Sequence, residues 1–184
     1  MQLNRAIVRP PSSTYTQGMT TAHEGAPDLP RALAQHQAYC LALEQCGLAV
    51  SVLSADAEFP DSCFVEDTAV LTARGAIATR PGAPSRAGEV SSIVAALSPY
   101  FSEIARIQAP GTVDGGDVCE AEGHYLIGLS QRTNEEGARQ LAALLAEIGY
   151  PSSVIDIRGS RRLLHLKTGI SYLDDGRMVV TSDV

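Results

Sequence analysis

A recurring order of elements constrains this 184-residue chain more than any single motif does. Hairpin signals are followed by a helix, then by a single strand, then by another hairpin. FVEDTAVLT and AIATRP flank a turn at Arg74 and Gly75, and DVCEA and HYLIGL flank Glu122 and Gly123. LLHLKTGISYL and MVVTS flank Asp174, Asp175 and Gly176, where Asp-Gly is a strong hairpin signal. The strands LAVSVL, EIARIQ and SSVIDI each follow a helix. The period is about 50 residues, the mark of a repeated supersecondary unit, although the units share a pattern and not a sequence. After the hairpin closing near Ser182 the pattern calls for another helix, and the sequence stops at Val184, so an unfinished array is expected.

Helices are predicted over about 29–46, 86–97 and 133–149. The first has Asp28 at its start, Pro30 in its first turn and Gly47 past its end, with Leu29, Leu33, His36, Cys40 and Leu43 on one stripe. The second follows Ser85, packs through Val90, Ile93, Val94 and Leu97, and stops before Pro99. The third opens on Thr133 and Glu136, a capping-box pair, and turns Ala138, Leu141, Leu145 and Ile148 inward.

The chain is long enough for one sizeable core. Its 45% hydrophobic and 19% charged residues are those of an ordinary globular protein. A net charge of −7 argues against nucleic-acid and anionic-membrane partners. No apolar run is long enough to span a bilayer, and MQLNRAIVRPPS has no signal-peptide pattern. Cys40, Cys46, Cys63 and Cys119 form no C-x-x-C pair and no Cys/His ligand spacing, so reduced thiols, a cytoplasmic location and no structural zinc are expected.

Four stretches could carry chemistry. DSCFVEDTAV sets Asp61, Glu66 and Asp67 among Phe64, Val65, Ala69 and Val70. An unpaired carboxylate is costly to bury, so this cluster asks for a cation. On a strand Asp61 and Asp67 share one face and Glu66 the other, so a bulge or bend is needed to gather all three. Each acid taken singly reads as a turn former or an edge charge. GTVDGGDV, with Gly111, Gly115 and Gly116, permits close backbone approach. It fits neither the phosphate-loop nor the G-x-G-x-x-G pattern. It is either a tight turn leading into a hairpin or a place where Asp114 or Asp117 orients a catalytic histidine.

His165, between leucines on a predicted strand, is by itself a satisfied core histidine as readily as an acid/base. His23, His36 and His124 lie in a loop, on a helix and in a hairpin and are weaker candidates. Arg86 and Arg132 precede or open helices, where a cation gains nothing from the dipole. That placement suits carboxylate recognition by the guanidinium fork, although either alone reads as a solvated surface residue. Together these groups fit a ligand with a cationic and an anionic end, the shape of an amino acid with a basic side chain.

PDSCFVEDTAV, ATRPGAPSRAGE, APGTVDGGDV, RTNEEGARQ and LHLKTG, in this order, resemble the dimethylarginine dimethylaminohydrolase family of the pentein, or guanidino-group-modifying, superfamily. The resemblance runs from AIVRPP to about Leu173. It implies an α/β fold, a pentein-type propeller of repeated ββαβ units that is incomplete in this chain, with residues 1–184 as a single partial domain. It implies hydrolysis of methylated arginine to citrulline and a methylamine through a covalent cysteine intermediate, with no cofactor and no metal.

By motif, His165 would be the general acid/base and Asp114 would orient its imidazole. Glu66 and Asp67 would bind the guanidinium, and Asp61 the α-ammonium. Arg86 and Arg132 would take the α-carboxylate. Met19, in QGMTTAH, matches a lid position usually held by leucine, and its carbonyl would face the α-ammonium. The family's nucleophilic cysteine lies in the final unit, and no cysteine here stands in a matching motif, so the isolated chain is expected to be inactive. An arginine deiminase-like pentein and a truncated, non-catalytic binder of cationic amino acids or of a partner chain are the alternatives. The expected partner is a small-molecule substrate, with association into a homo-oligomer left open.

Overall fold

The computed structural model describes residues 4–21 and 25–184, so His23 lies outside the described residues. Two compact units meet in sequence at Val65 and Glu66.

The first unit is a strand–helix–strand arrangement. β1 (Arg5–Val8) and β2 (Ala49–Val52) pair in parallel, Arg5 opposite Ala49 and Val8 opposite Val52, and α1 (Leu29–Gln45) connects them. Asp28 caps α1 by accepting the Arg31 N–H at 3.0 Å, and Pro30 occupies the first turn, where its missing donor costs nothing. Gly47, at φ +85°, follows the helix in the left-handed conformation. The inward stripe of α1 is Leu29, Ala32, His36, Cys40 and Leu43, all half-buried. Leu33 is exposed, and Ala32 holds its expected place. β1 is a strand the sequence reading did not assign.

Residues 66–184 contain two complete ββαβ units and a third hairpin. In the first, β3 (Ala69–Leu71) and β4 (Ala76–Ala78) are antiparallel, α2 (Glu89–Leu97) follows, and β5 (Ile104–Arg106) returns parallel to β4. The second repeats that order with β6 (Val118–Ala121), β7 (His124–Leu129), α3 (Glu135–Glu147) and β8 (Ser152–Asp156). A single turn, α4 (Leu166–Gly169), then leads into the hairpin β9 (Ile170–Tyr172) and β10 (Met178–Val180). The expected repeat is therefore present in this order of elements. The β6–β7 turn places Glu122 and Gly123 at φ 51° and 81°, the two positive angles that a type I′ hairpin needs.

The main core joins Val70, Ile77 and Ile107 of the first ββαβ unit to Val118, Tyr125, Ile127 and Leu129 of the second, under Ala138, Leu141 and Leu145 of α3. Each such side chain contributes roughly 1.5–3 kcal/mol by leaving water. A second cluster gathers Cys119, Ile157, Leu166 and Ile170, and so fixes the segment that carries His165.

Several boundaries differ from the sequence reading. Val65–Thr68 is a 3-10 turn and not a strand. α2 starts at Glu89, after a separate 3-10 turn Pro84–Arg86. The cap of α3 is Asn134, whose side chain accepts the Gly137 N–H at 2.7 Å, because the Thr133 hydroxyl is drawn instead to a buried carboxylate. His165 is the residue before α4 and does not lie on a strand.

Candidate active site

Three successive hairpins of the second unit are each preceded by one helical turn. These turns are Val65–Thr68 before β3, Gly115–Asp117 before β6 and Leu166–Gly169 before β9. The first carries Asp67, the second carries Asp117 and follows directly on Asp114, and the third follows directly on His165. One donor atom from each of Asp67, Asp114 and His165 lies within 4.8 Å of the others, although the residues are widely separated in sequence. Two glycines make the approach possible. A Cβ on Gly115 would overlap the Glu66 carbonyl, and one on Gly116 would sit 2.8 Å from Cγ of His165 and 2.9 Å from Oδ1 of Asp67.

Asp67 is held at both oxygens. Oδ1 accepts the Gly116 N–H at 2.9 Å, and Oδ2 accepts from Nη1 of Arg86 at 2.6 Å. Arg86 is itself buried, and Nε and Nη2 grip Glu89, which is 2% exposed, at 3.0 and 2.8 Å. Burial opposes the charge on Arg86, but its bonds to Glu89 and Asp67 outweigh that and push its pKa further up. The buried partner Glu89 was not singled out in the sequence, where it reads as an ordinary acid in a first helical turn.

His165 sits among carboxylates, with its side chain 15% exposed. Nδ1 lies 3.5 Å from Oδ2 of Asp117, and Nε2 lies 3.9 Å from Oδ1 of Asp67. Burial favours the neutral ring, yet Asp117, Asp67 and Asp114 together raise its pKa above the ordinary histidine value. Asp117 is fully buried and accepts hydroxyl bonds from Ser130 and Thr133 at 2.7 Å each and the Leu166 N–H at 3.0 Å. Asp114, 1% exposed, accepts the Gly82 N–H at 2.7 Å through Oδ1. Its Oδ2 has no hydrogen-bond partner among the described residues. Burial, and next to it the charge of Asp67, raise the pKa of Asp114 against the pull of the Gly82 amide, His165 and Arg86.

The remaining candidates are distributed as follows. Glu66 is exposed and takes Nζ of Lys167 at 2.7 Å. Arg132 is half-buried, with its backbone against Gly82, and its guanidinium forms no ion pair among the described residues. Asp61 and Met19 belong to the first unit, where both Asp61 oxygens lie 3.2 Å from the Met19 N–H. Ser130 and Thr133 were missed as parts of the site, and only their position beside Arg132 could have drawn attention to them.

All four cysteines are free thiols. Cys119 is a core residue whose pKa is pushed up by burial, and Cys40 faces Nδ1 of His36 at 3.7 Å on α1. His124 bonds Ser153 at 2.9 Å, away from these groups. A cleft of about 520 Å³ lined by Arg74, Glu103 and Glu147 contains none of the candidates.

The donors of Asp67, Asp114 and His165 are near enough to share a small cation. Both oxygens of Asp67 already accept from Gly116 and Arg86, so the set is better matched to a diffuse organic cation than to a metal ion. Such a site can hold positive charge and exchange a proton through His165.

No helix is long and apolar enough to cross a membrane among the described residues. The arginine deiminase family model matches residues 57–184. The N(G),N(G)-dimethylarginine dimethylaminohydrolase of Pseudomonas aeruginosa is 43% identical over 96% of this chain and 69% of its own length. The enzyme of the same name from Streptomyces coelicolor is 34% identical, over 97% of this chain and 69% of its own. A solved Cys-to-Ser variant of the Pseudomonas aeruginosa protein, complexed with citrulline, superposes with a TM-score of 0.93 at 42% identity, over 97% of this chain and 69% of that one.

Proposed function

The chain belongs to the dimethylarginine dimethylaminohydrolase group of the arginine deiminase family, and from that premise we propose that residues 1–184 bind a methylated arginine and supply the acid/base group for its hydrolysis. One observation carries the reading. The buried acids Asp67, Asp114 and Asp117 surround His165, the buried Arg86 is divided between Asp67 and Glu89, and Oδ2 of Asp114 has no hydrogen-bond partner among the described residues. A guanidinium would relieve that imbalance.

Glu66 and Asp67 take the guanidinium, while Asp61 and the Met19 carbonyl take the α-ammonium. Arg132 takes the α-carboxylate. Arg86 joins it only to the extent that Asp67 and Glu89 can share its guanidinium. A thiolate attacks the guanidinium carbon, the C–N bond to the methylated nitrogen breaks, and His165 protonates the departing amine. Water, losing a proton to His165, then displaces the thiol and leaves citrulline. We assign no nucleophile to Cys40, Cys46, Cys63 or Cys119, so the 184-residue protein is expected to bind dimethylarginine without producing citrulline. We read residues 1–184 as a single partial domain of this family, supported by matches over 96–97% of the chain and 69% of the relatives' own length. The four free thiols support a reducing, cytoplasmic setting.

Titration calorimetry with NG,NG-dimethyl-L-arginine tests the reading. Saturable binding that weakens at least tenfold in Glu66→Gln supports it, whereas absent or unchanged binding contradicts it. The arginine deiminase match favours a second reading, with unmethylated arginine as the substrate. Tighter binding of arginine than of dimethylarginine would select it.

A further inference from the structure

We propose that Glu89 is a positioning residue of the cation site: it turns Arg86 toward Asp67 and returns to the site the negative charge that Arg86 takes from it. The role rests on the proposed function, in which Asp67 takes the guanidinium of a methylated arginine.

The three groups stand on short neighbouring elements. Asp67 belongs to the turn Val65–Thr68, Arg86 ends the turn Pro84–Arg86, and Glu89 is the first residue of α2. The side chains of Arg86 and Glu89 are 6% and 2% exposed. Their contact is broadside. Nε of Arg86 donates to Oε1 of Glu89 at 3.0 Å and to Oε2 at 3.2 Å, and Nη2 donates to Oε2 at 2.8 Å. That grip takes the guanidinium edge that carries Nε and Nη2. It sets the plane of the group and leaves Nη1 to reach Oδ2 of Asp67 at 2.6 Å.

A structural ion pair would need one acid, and Asp67 already supplies it. Arg86 and Asp67 alone would form a neutral pair with no net charge to attract a second guanidinium. One cation between two carboxylates leaves the bridge as a whole with one negative charge. Burying that excess charge is costly. Glu89 is kept ionised by the permanent cation it grips and by its place in the first turn of α2, where the positive end of the helix dipole favours an anion.

The bridge ends beside His165. Oδ1 of Asp67 accepts the Gly116 N–H at 2.9 Å and lies 3.9 Å from Nε2 of His165. Removing the charge at the Glu89 end is therefore felt at the Asp67 end while Asp67, Arg86 and His165 themselves stay unaltered.

The test is Glu89→Gln in the 184-residue protein, which keeps the side chain's length and an oxygen for Nη2 but removes the charge. Titration calorimetry should show NG,NG-dimethyl-L-arginine bound about tenfold more weakly, the effect of a unit charge about 10 Å away at an effective dielectric constant of about 20. Citrulline, whose side chain is neutral, should change by less than about twofold because the missing charge acts only weakly on it. Equal losses for the two ligands would mean that Glu89 only supports the fold, and that result, or unchanged dimethylarginine binding, overturns the proposal. Without ligand, Glu89→Gln should lower the pKa of His165, followed by its imidazole resonances, by less than Asp67→Asn does. An unchanged pKa also overturns it. If Glu89→Gln does not fold, the carboxyl carbon resonance of Glu89 in the wild type decides: a charged group at neutral pH supports the proposal and a neutral one overturns it. Failure of the wild type to bind dimethylarginine would count against the proposed function, while the His165 titration still tests Glu89.

Discussion

The turns that lead into β3 and β6 solve the same problem in opposite ways. Each is a 3-10 turn that ends just before the first strand of a hairpin, and each buries an aspartate there. Asp67 is satisfied by Arg86, a permanent cation that also holds Glu89. Asp117 is satisfied by two hydroxyls and an amide, all neutral. An acid bonded to an arginine has its charge compensated inside the protein. An acid bonded only to neutral donors has no such compensation, and Asp117 helps to raise the pKa of the neighbouring His165. Acids on corresponding turns of a repeat can therefore take different roles through the chemistry of their partners.

The comparison breaks most severely at Arg86. Arg86→Met leaves Asp67 and Glu89 buried without their cation and is expected to cost about 3–5 kcal/mol in urea unfolding at neutral pH. Adding Asp67→Asn and Glu89→Gln should recover part of that loss. At the other turn, Thr133→Val removes a hydroxyl donor from Asp117 and the acceptor of the Asp114 N–H. Leaving those buried groups short of a partner should cost roughly 1–3 kcal/mol in the same measurement. A smaller loss at Arg86 than at Thr133 would mean that the two turns are not distinguished by charge.

Asp114→Asn should act in the opposite direction, stabilising the protein at neutral pH by roughly 0.5–2 kcal/mol, as relief of a functional strain commonly does. The sign follows from linkage. A carboxyl whose folded pKa is raised carries no penalty below its ordinary pKa and accumulates one as the pH rises through its folded value. The advantage of Asp114→Asn should therefore vanish in acid. His165, also raised, contributes stability that is fully present below its ordinary value of 6.5 and is lost as the pH rises through its folded pKa. Denaturation midpoints across a pH series should show that loss in the wild type and not in His165→Gln. The smallest effect on stability belongs to the partly exposed Lys167–Glu66 pair, where Lys167→Met should change stability by less than about 1 kcal/mol. It should nevertheless tighten dimethylarginine binding, because Glu66 loses a competing cation.

Apolar spacing made the hairpins, the helices and their order readable, and Ala138, Leu141 and Leu145 of α3 are buried where the pattern put them. The three turns that carry the site were not readable, because a single turn is too short to show a period. FVED and LLHLKT, with polar residues among apolar ones, therefore read as strands. Thr133 resembled a helix cap because its own sequence gives no sign of the carboxylate sixteen residues earlier that claims its hydroxyl. The candidate residues Asp67, Asp114 and His165 were legible as chemistry, and their convergence was not. It depends on Gly115 and Gly116 leaving room for the Glu66 carbonyl and the His165 ring.

The central claim is that these converging acids and His165 receive a guanidinium. It is tested most directly by following the imidazole resonances of His165 while NG,NG-dimethyl-L-arginine is added. A cation entering beside the ring disfavours the imidazolium, so saturation should lower the pKa of His165, with no such change on adding neutral citrulline. Binding that leaves the His165 resonances and their titration unchanged would contradict the account.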